Sequence, residues 1–232
     1  MGKYIKWGTV AVREVENILK AFPFWGDLSE AEKEDIKKYA TIRIFEEGNV
    51  IFAKDSECLG LICLIEGSIR TYMVSESGRE ITLYRMQPKE VDLLSASCVM
   101  QQITFHTQMV AEEKTKILIV PAICIARLKE KNLAVRCYVY EYLSKRFSDV
   151  MKTMENILFT RIDKRLADFL LEKSRNQKSR EITVTHEELA QNINSAREVV
   201  ARVLKGFEKR GLVKLGRKKI ELLDINALKR YV

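Results

Sequence analysis

The chain has 232 residues, is 47% hydrophobic and has a mean hydropathy of −0.16, so it can bury a substantial core, and its 10 Gly and 3 Pro exclude collagen-like or low-complexity chains. The longest apolar runs, Leu59–Ile65 and Ile117–Ala126, stop far short of the ~20 residues that span a bilayer. Met1–Val12 shows no charged-then-apolar-then-small signal pattern, so a cytoplasmic protein with no membrane partner is expected. The formal charge of +8 is unevenly placed: residues 159–232 carry 18 Lys+Arg against 10 Asp+Glu, while the first 158 residues balance at 22 each. A neutral module followed by a basic one points to a polyanionic partner for the second.

In chain order, Val12, Val15, Ile18 and Leu19 recur at helical spacing, Phe22–Gly26 interrupts the pattern, and Ser29 opens a second helix with Glu32 placed for a capping box. The period then changes. Thr41–Phe45, Val50–Ala53, Leu61–Ile65, Ile69–Val74, Glu80–Met86 and Ile117–Val120 read as strands divided by Gly-, Asn- and Pro-containing turns, which predicts an antiparallel sandwich or barrel. Residues 122–158 lack Gly and Pro and read as one long helix. About 30 helical residues span ~45 Å, more than a small barrel needs as cover. Its stripe is therefore expected to pair with a second copy as a short coiled coil, with Val139, Leu143, Phe147, Val150, Met154 and Ile157 at the interface. The alternative is packing on the chain's own barrel. The expected domains are 1–121, 122–158 and 159–232.

The basic region reads as a helix from Ile162 to Leu171, a polar loop at Ser174–Arg180, a short strand at Ile182–Val184, helices near Glu187–Ile193 and Arg197–Arg210, and a two-stranded ribbon turning at Gly216-Arg217. Thr185 and Glu188 fit a capping box, Asn194 sits at a sharp turn, and Ser195 with Glu198 fits a second box. Val199, Val200, Val203 and Leu204 would bury the second helix. Its outer face then presents Arg197, Glu198 and Arg202. Arg can bond guanine O6 and N7, and Glu can accept from cytosine N4, so this is the pattern of a helix–turn–helix reading base edges. Thr185, His186, Ser195, Lys205 and Lys218 are expected at phosphates.

Other chemistries find little support. Cys58, Cys63, Cys98, Cys124 and Cys137 are odd in number, scattered and without a CxxC pair. Reduced, buried thiols are expected, with redox sensing open if two of Cys58, Cys63 and Cys98 approach. Cupin-like metal chemistry needs several His and a carboxylate, and this chain has only His106 and His186, in different modules. Neither a Gly-rich phosphate loop nor a nucleophile elbow occurs, so an enzyme is not expected. A module binding protein, or nucleic acid without specificity, is the competing reading.

The order of parts resembles the Crp/Fnr family of bacterial transcription regulators from about Phe24 to Leu223. Glu47-Gly48, Leu64–Ile69 and Ser77–Leu83 look like its sensor roll, and Arg197-Glu198-Val199-Val200-Ala201-Arg202 looks like its recognition helix. The resemblance implies an α+β fold: an N-terminal jelly-roll-like β-roll (a double-stranded β-helix), a long dimerisation helix and a C-terminal winged helix–turn–helix. It also implies a homodimer on pseudo-palindromic double-stranded DNA with TGTGA-like half-sites, base contacts from Arg197, Glu198 and Arg202, and RNA polymerase as a further partner of an activator. An effector in the roll would shift the dimer between two states, matching half-sites ~34 Å apart in one of them. Cyclic-AMP-binding members carry a Gly-Glu-Leu cassette and then Arg-Ser. Here Glu90–Ser97 and Phe105-His106 stand there, no Lys or Arg falls between Lys89 and Lys114, and Pro88-Lys89 replaces the usual turn glycine. Cyclic AMP is therefore not expected. The first cysteine is Cys58, so the N-terminal cluster of iron–sulfur members is missing and such a cofactor is not expected either. Haem would need His106 as an axial ligand. The effector stays unidentified, with Ser95, Ser97 and His106 as candidate pocket residues.

Overall fold

A computed structural model describes residues 3–4, 9–53, 58–76, 78–93 and 107–232. The chain divides into two compact units, Met1–Met73 with Leu83–Val150, and Val74–Thr82 with Met151–Val232.

In the first unit, β1 (Lys3–Tyr4) precedes α1 (Thr9–Lys20), a 3-10 turn at Trp25–Asp27 and α2 (Glu30–Tyr39). Ser29 caps α2 as expected: its hydroxyl accepts from the Glu32 amide, and the Glu32 carboxylate accepts from the Ser29 amide at 2.8 Å. The strands that follow are β2 (Thr41–Phe45), β3 (Val50–Phe52), β4 (Gly60–Glu66), β5 (Ile69–Val74), β6 (Glu80–Met86), β7 (Val91–Asp92), β8 (Gln108–Ala111) and β9 (Thr115–Pro121), with the β5–β6 hairpin end Val74–Thr82 belonging to the second unit. One antiparallel sheet runs β1-β2-β9-β4-β7 and the other β3-β8-β5-β6. The paired sheets are the expected roll.

Strands β4 and β9 are apolar on both faces, and their side chains alternate between two cores. Ile62, Leu64, Ile117 and Ile119 point between the sheets, with Phe45, Phe52 and Met109. Leu61, Cys63, Leu118 and Val120 pack beneath the helices, with Leu19, Phe24 and Ile36. Gly60, at φ +112, opens β4 where the backbones come closest: a Cβ there would lie 2.1 Å from the Val120 carbonyl oxygen.

The long helix is two helices. α3 (Ala122–Lys131) ends at Asn132 and α4 (Leu133–Phe159) begins beyond it. Asn132 leaves helical geometry at φ −114°, ψ 119°, and its side-chain oxygen then accepts from the Ala134 amide at 3.0 Å. The side chain thus starts a new helix without Gly or Pro. Val135, Val139 and Tyr142 of α4 join the helix-side core. A buried polar cluster fixes the same face. Asp92 Oδ1 accepts from the Tyr84 hydroxyl at 2.7 Å and the Tyr142 hydroxyl at 2.8 Å. Arg146 donates to the Tyr142 hydroxyl at 2.9 Å and to the Val91 carbonyl at 3.1 Å.

Val139 was expected at a dimer interface, but it is only 2% exposed and is taken up by its own unit. Leu143, Val150 and Ile157 are half-buried. The outward row is Tyr140, Phe147, Met151, Met154 and Leu158, with Phe147 68% and Leu158 66% exposed.

The second unit contains α5 (Ile162–Gln177), β10 (Glu181–Thr183), α6 (His186–Asn192), α7 (Arg197–Lys209), β11 (Val213–Gly216), β12 (Lys219–Leu222) and α8 (Ile225–Lys229). Four details differ from expectation. Helix α5 runs through Ser174 to Gln177, because nothing breaks it until Lys178 turns left-handed at φ 49°. The ribbon is a three-stranded sheet, ordered β10-β12-β11, because Glu181–Thr183 pairs along β12. Its hairpin turns on Arg217-Lys218, one residue later than expected, with Gly216 paired to Lys219. Helix α8 is an addition, capped by Asp224, whose carboxylate accepts from the Ala227 amide at 2.9 Å. Leu166, Leu170, Leu189, Leu204, Phe207 and Ile220 are among its core residues.

Candidate nucleic-acid interface

Two helices and the turn between them set the geometry. Thr185 caps α6 as a complete box: its amide donates to Glu188 at 2.5 Å and its hydroxyl accepts from the Glu188 amide at 3.1 Å. The backbone bond from Thr185 holds the Glu188 carboxyl below the usual carboxylate range. Leu189, Ala190 and Ile193 face inward and are buried. Asn194 takes φ 51°, so the turn falls where expected.

The second capping box does not form. Ala196 is the extended residue preceding α7, and it has no side-chain oxygen to offer. Ser195 is held one step earlier, its amide donating to the Ala190 carbonyl at 2.9 Å. Val200, Leu204 and Phe207 bury the inner face of α7, while Val199 and Val203 are only half-buried. Phe207 was legible, since it continues the three- and four-residue steps from Val200 and Leu204.

The outward face presents Arg197, Glu198 and Arg202, all exposed. Glu198 and Arg202 stand four residues apart yet form no ion pair with each other among the described residues. Arg202 lines a depression of about 430 Å³ shared with Arg161 and Arg210. Asp163 also lines it and pairs with Arg161 at 2.9 Å, while Arg210 donates to the Gly206 carbonyl at 3.0 Å, so Arg202 and Arg210 leave the concavity net positive. Of the five residues expected at phosphates, Lys205 and Lys218 are exposed, whereas Thr185, His186 and Ser195 are half-buried. Lys218 stands at the hairpin tip with φ 57°.

The turn carries ties that sequence reasoning missed. Within the second unit, the Asn194 side chain accepts from the Thr82 amide at 2.8 Å and donates to the Thr82 carbonyl at 3.0 Å, like a backbone pairing. The Thr82 hydroxyl donates to the Gln191 carbonyl at 3.2 Å. Arg79 donates to the Asn194 carbonyl at 3.2 Å and Arg165 to the Ile193 carbonyl at 2.9 Å. Only the asparagine hinted at this, and its tolerance of left-handed backbone was explanation enough on sequence grounds.

The comparisons with known proteins agree with this arrangement. Residues 42–132 match the cyclic nucleotide-binding domain family and residues 164–231 the Crp-like helix-turn-helix domain family. A solved structure from Eubacterium rectale, assigned to the Crp/Fnr family of transcriptional regulators, is 40% identical and covers 90% of this chain and 97% of its own, with a TM-score of 0.83. The chain belongs to the Crp/Fnr family. Among curated Crp/Fnr relatives, the transcriptional regulator SdrP of Thermus thermophilus is 28% identical over 72% of this chain and 80% of that protein. The cyclic AMP receptor protein of the same organism is 24% identical over 89% and 94%. A Crp/Fnr chain of this build is a transcription regulator with a helix–turn–helix DNA-binding domain, and not an enzyme. No helix among the described residues is long and apolar enough to cross a membrane.

On the sensor side, Ser95, Ser97, Cys98 and His106 lie outside the described residues. Cations are not missing from the first unit, although none falls between Lys89 and Lys114. Arg70 and Arg146 are buried there, Arg70 with Glu112 at 3.9 Å and Arg146 within the Asp92 cluster. Cys58 is disulfide-bonded, which departs from the expected set of reduced thiols. Cys63, Cys124 and Cys137 are free, and burial pushes the Cys63 thiol up to about 11.

Proposed function

We propose that the protein is a cytoplasmic, homodimeric, sequence-specific regulator that reads a pseudo-palindrome with TGTGA-like half-sites. Arg197, Glu198 and Arg202 contact base edges, and Thr185, His186, Ser195, Lys205 and Lys218 contact phosphates. The observation that carries this reading is the outward triad on α7, which no ion pair among the described residues holds in place. A buried triad could not enter a groove, and a paired one would first have to give up its partner. The test is fluorescence anisotropy on a TGTGA…TCACA duplex against a scrambled duplex across a salt series. Arg197→Ala or Arg202→Ala is expected to weaken cognate binding by about 1–3 kcal/mol and scrambled binding far less. Lys205→Gln is expected to weaken both equally and lower the salt slope by about one. Equal losses on both duplexes for the arginine variants would reduce the triad to phosphate contact, as the cationic depression around Arg202 also permits.

The dimer rests on the outward row of α4. Tyr140, Phe147 and Met154 recur every seventh residue, with Met151 and Leu158 interleaved, which is a coiled-coil seam. Phe147→Glu with Met151→Glu is expected to give a monomer in sedimentation velocity and to abolish palindrome binding at concentrations that saturate wild type.

The disulfide at Cys58 favours a second reading, in which redox state sets DNA affinity. Disulfides are uncommon in reducing compartments and there are mostly transient or sensing. Reductant is then expected to change cognate affinity at least about threefold in wild type and to leave Cys58→Ser unchanged. A wild type indifferent to reductant would end this reading. The effector itself is proposed to be something other than cyclic AMP or an iron–sulfur cluster.

A further inference from the structure

The first unit holds a cavity of about 560 Å³ on the helix-covered face of its first sheet, away from the space between the two sheets. A void this large is well beyond a single-water site and falls within the roughly 300–1,000 Å³ of small-molecule pockets. The Phe22 and Cys63 side chains and the β4 backbone at Leu64, whose own side chain points between the sheets, form its buried wall, and its rim is exposed at Asn17, Ala21 and Lys89. The lining is mostly apolar, with three polar exceptions: the Asn17 amide, the Tyr138 hydroxyl and the Lys89 ammonium. None of the three side chains has a hydrogen-bond or ion-pair partner among the described residues. Among the described residues, Lys89 is the only charged group in the lining, and no carboxylate faces it there.

Lys89 is also set in place by its backbone. Its amide donates to the Leu64 carbonyl at 2.7 Å, and it holds φ 76°, a conformation that suits glycine better. A lysine kept at this strained position brings a cation to the rim that glycine would not. We propose that this cavity binds a small amphipathic monocarboxylate, with its apolar body against Ile18, Phe22, Ile65 and Val91 and its carboxylate on Lys89, within reach of Asn17 or Tyr138. Binding is non-covalent. Burial keeps the Cys63 thiol protonated and pushes the Tyr138 phenol up to about 12, so the cavity presents a thiol wall and a neutral hydroxyl donor. The proposal is independent of how the second unit reads DNA.

The experiment is calorimetric titration and thermal unfolding of the full chain with octanoate, and with octan-1-ol as the uncharged probe of equal length. Octanoate should bind wild type saturably and raise its Tm. Lys89→Gln should weaken octanoate at least tenfold and leave octan-1-ol unchanged. Lys89→Gly should do the same without loss of unliganded Tm, since glycine suits φ 76°, which separates lost charge from lost fold. Ala21→Trp, substituted at an exposed rim position, should block both probes while the unliganded Tm holds. No saturable octanoate binding to wild type would overturn the proposal. So would wild-type affinity in both Lys89→Gln and Ala21→Trp, which would place binding elsewhere.

Discussion

Replacing Asp92 with alanine is expected to cost the first unit roughly 3–5 kcal/mol and to move its urea midpoint far below that of wild type. Asp92 is 0% exposed and one of its oxygens receives both the Tyr84 and the Tyr142 hydroxyls. The Arg146 guanidinium closes the cluster, with its carbon 4.2 Å from the centre of the Tyr84 ring and its Nε on the Tyr142 hydroxyl. Taking away the carboxylate leaves the Tyr84 and Tyr142 hydroxyls without their acceptor in a buried site, while Arg146 keeps the Val91 carbonyl and Asp149, and that penalty exceeds the net worth of the bonds themselves. Asp92→Asn keeps an acceptor oxygen and is expected to cost less than half as much. Alkali should act on the same cluster. Burial, followed by the Asp92 charge, holds both tyrosines well above their ordinary pKa. Their neutral forms are thus favoured in the fold, and this contribution is intact below the unfolded value of ~10 and fades as pH climbs past it. Urea midpoints at pH 8 and 11 check this, and Asp92→Asn should show a shallower loss.

Phe207→Ala is expected to remove roughly 3–5 kcal/mol from the second unit. The ring is 0% exposed on the inner face of α7, and its centroid lies 5.1 Å from that of Tyr231. The cavity left behind opens beneath the helix that carries Arg197 and Arg202, so cognate binding should vanish together with the near-UV signal of packed aromatics. Arg202→Ala is exposed and should stay within about 0.5 kcal/mol of wild-type stability. Measuring both variants by urea unfolding and by anisotropy separates loss of the scaffold from loss of readout.

Local rules explain what could be read from sequence. The strands Thr41–Phe45, Ile69–Val74 and Glu80–Met86 match the structure to the residue, because short runs rich in Ile, Leu, Tyr and Val are bounded there by turn-formers such as Gly67 and Gly78. Strands β1 and β7 have two residues each and β8 has four, too short for any period to show. The break at Asn132 escaped notice because a side chain makes it rather than a backbone-breaking residue. The α4 stripe misled for a different reason. It is wide enough to serve two surfaces, and only the fold shows that Val135, Val139 and Tyr142 turn inward while Phe147, Met151 and Leu158 turn out. Arg146, charged and therefore left out of the stripe, belongs to the inward set. At the interface, the triad on α7 was legible from i,i+4 spacing and residue type. The pairing of Asn194 with Thr82 was not, because it joins positions 112 residues apart.

Most strands have their register set by polarity, since a one-residue slip would drive polar side chains into the core. Strands β4 and β9 lack that safeguard, because each presents apolar side chains to both cores and a slipped pairing would still be hydrophobic on either face. Gly60 supplies a steric reference point instead. It alone in β4 lacks a Cβ, and it is paired with Pro121 where the two backbones crowd. A slip of one residue would bring the Cβ of Leu61 to that crowded point. The alignment of the whole first sheet therefore depends on a missing side chain, and the side chains of the helix-side core and the inter-sheet core keep their separate addresses because of it.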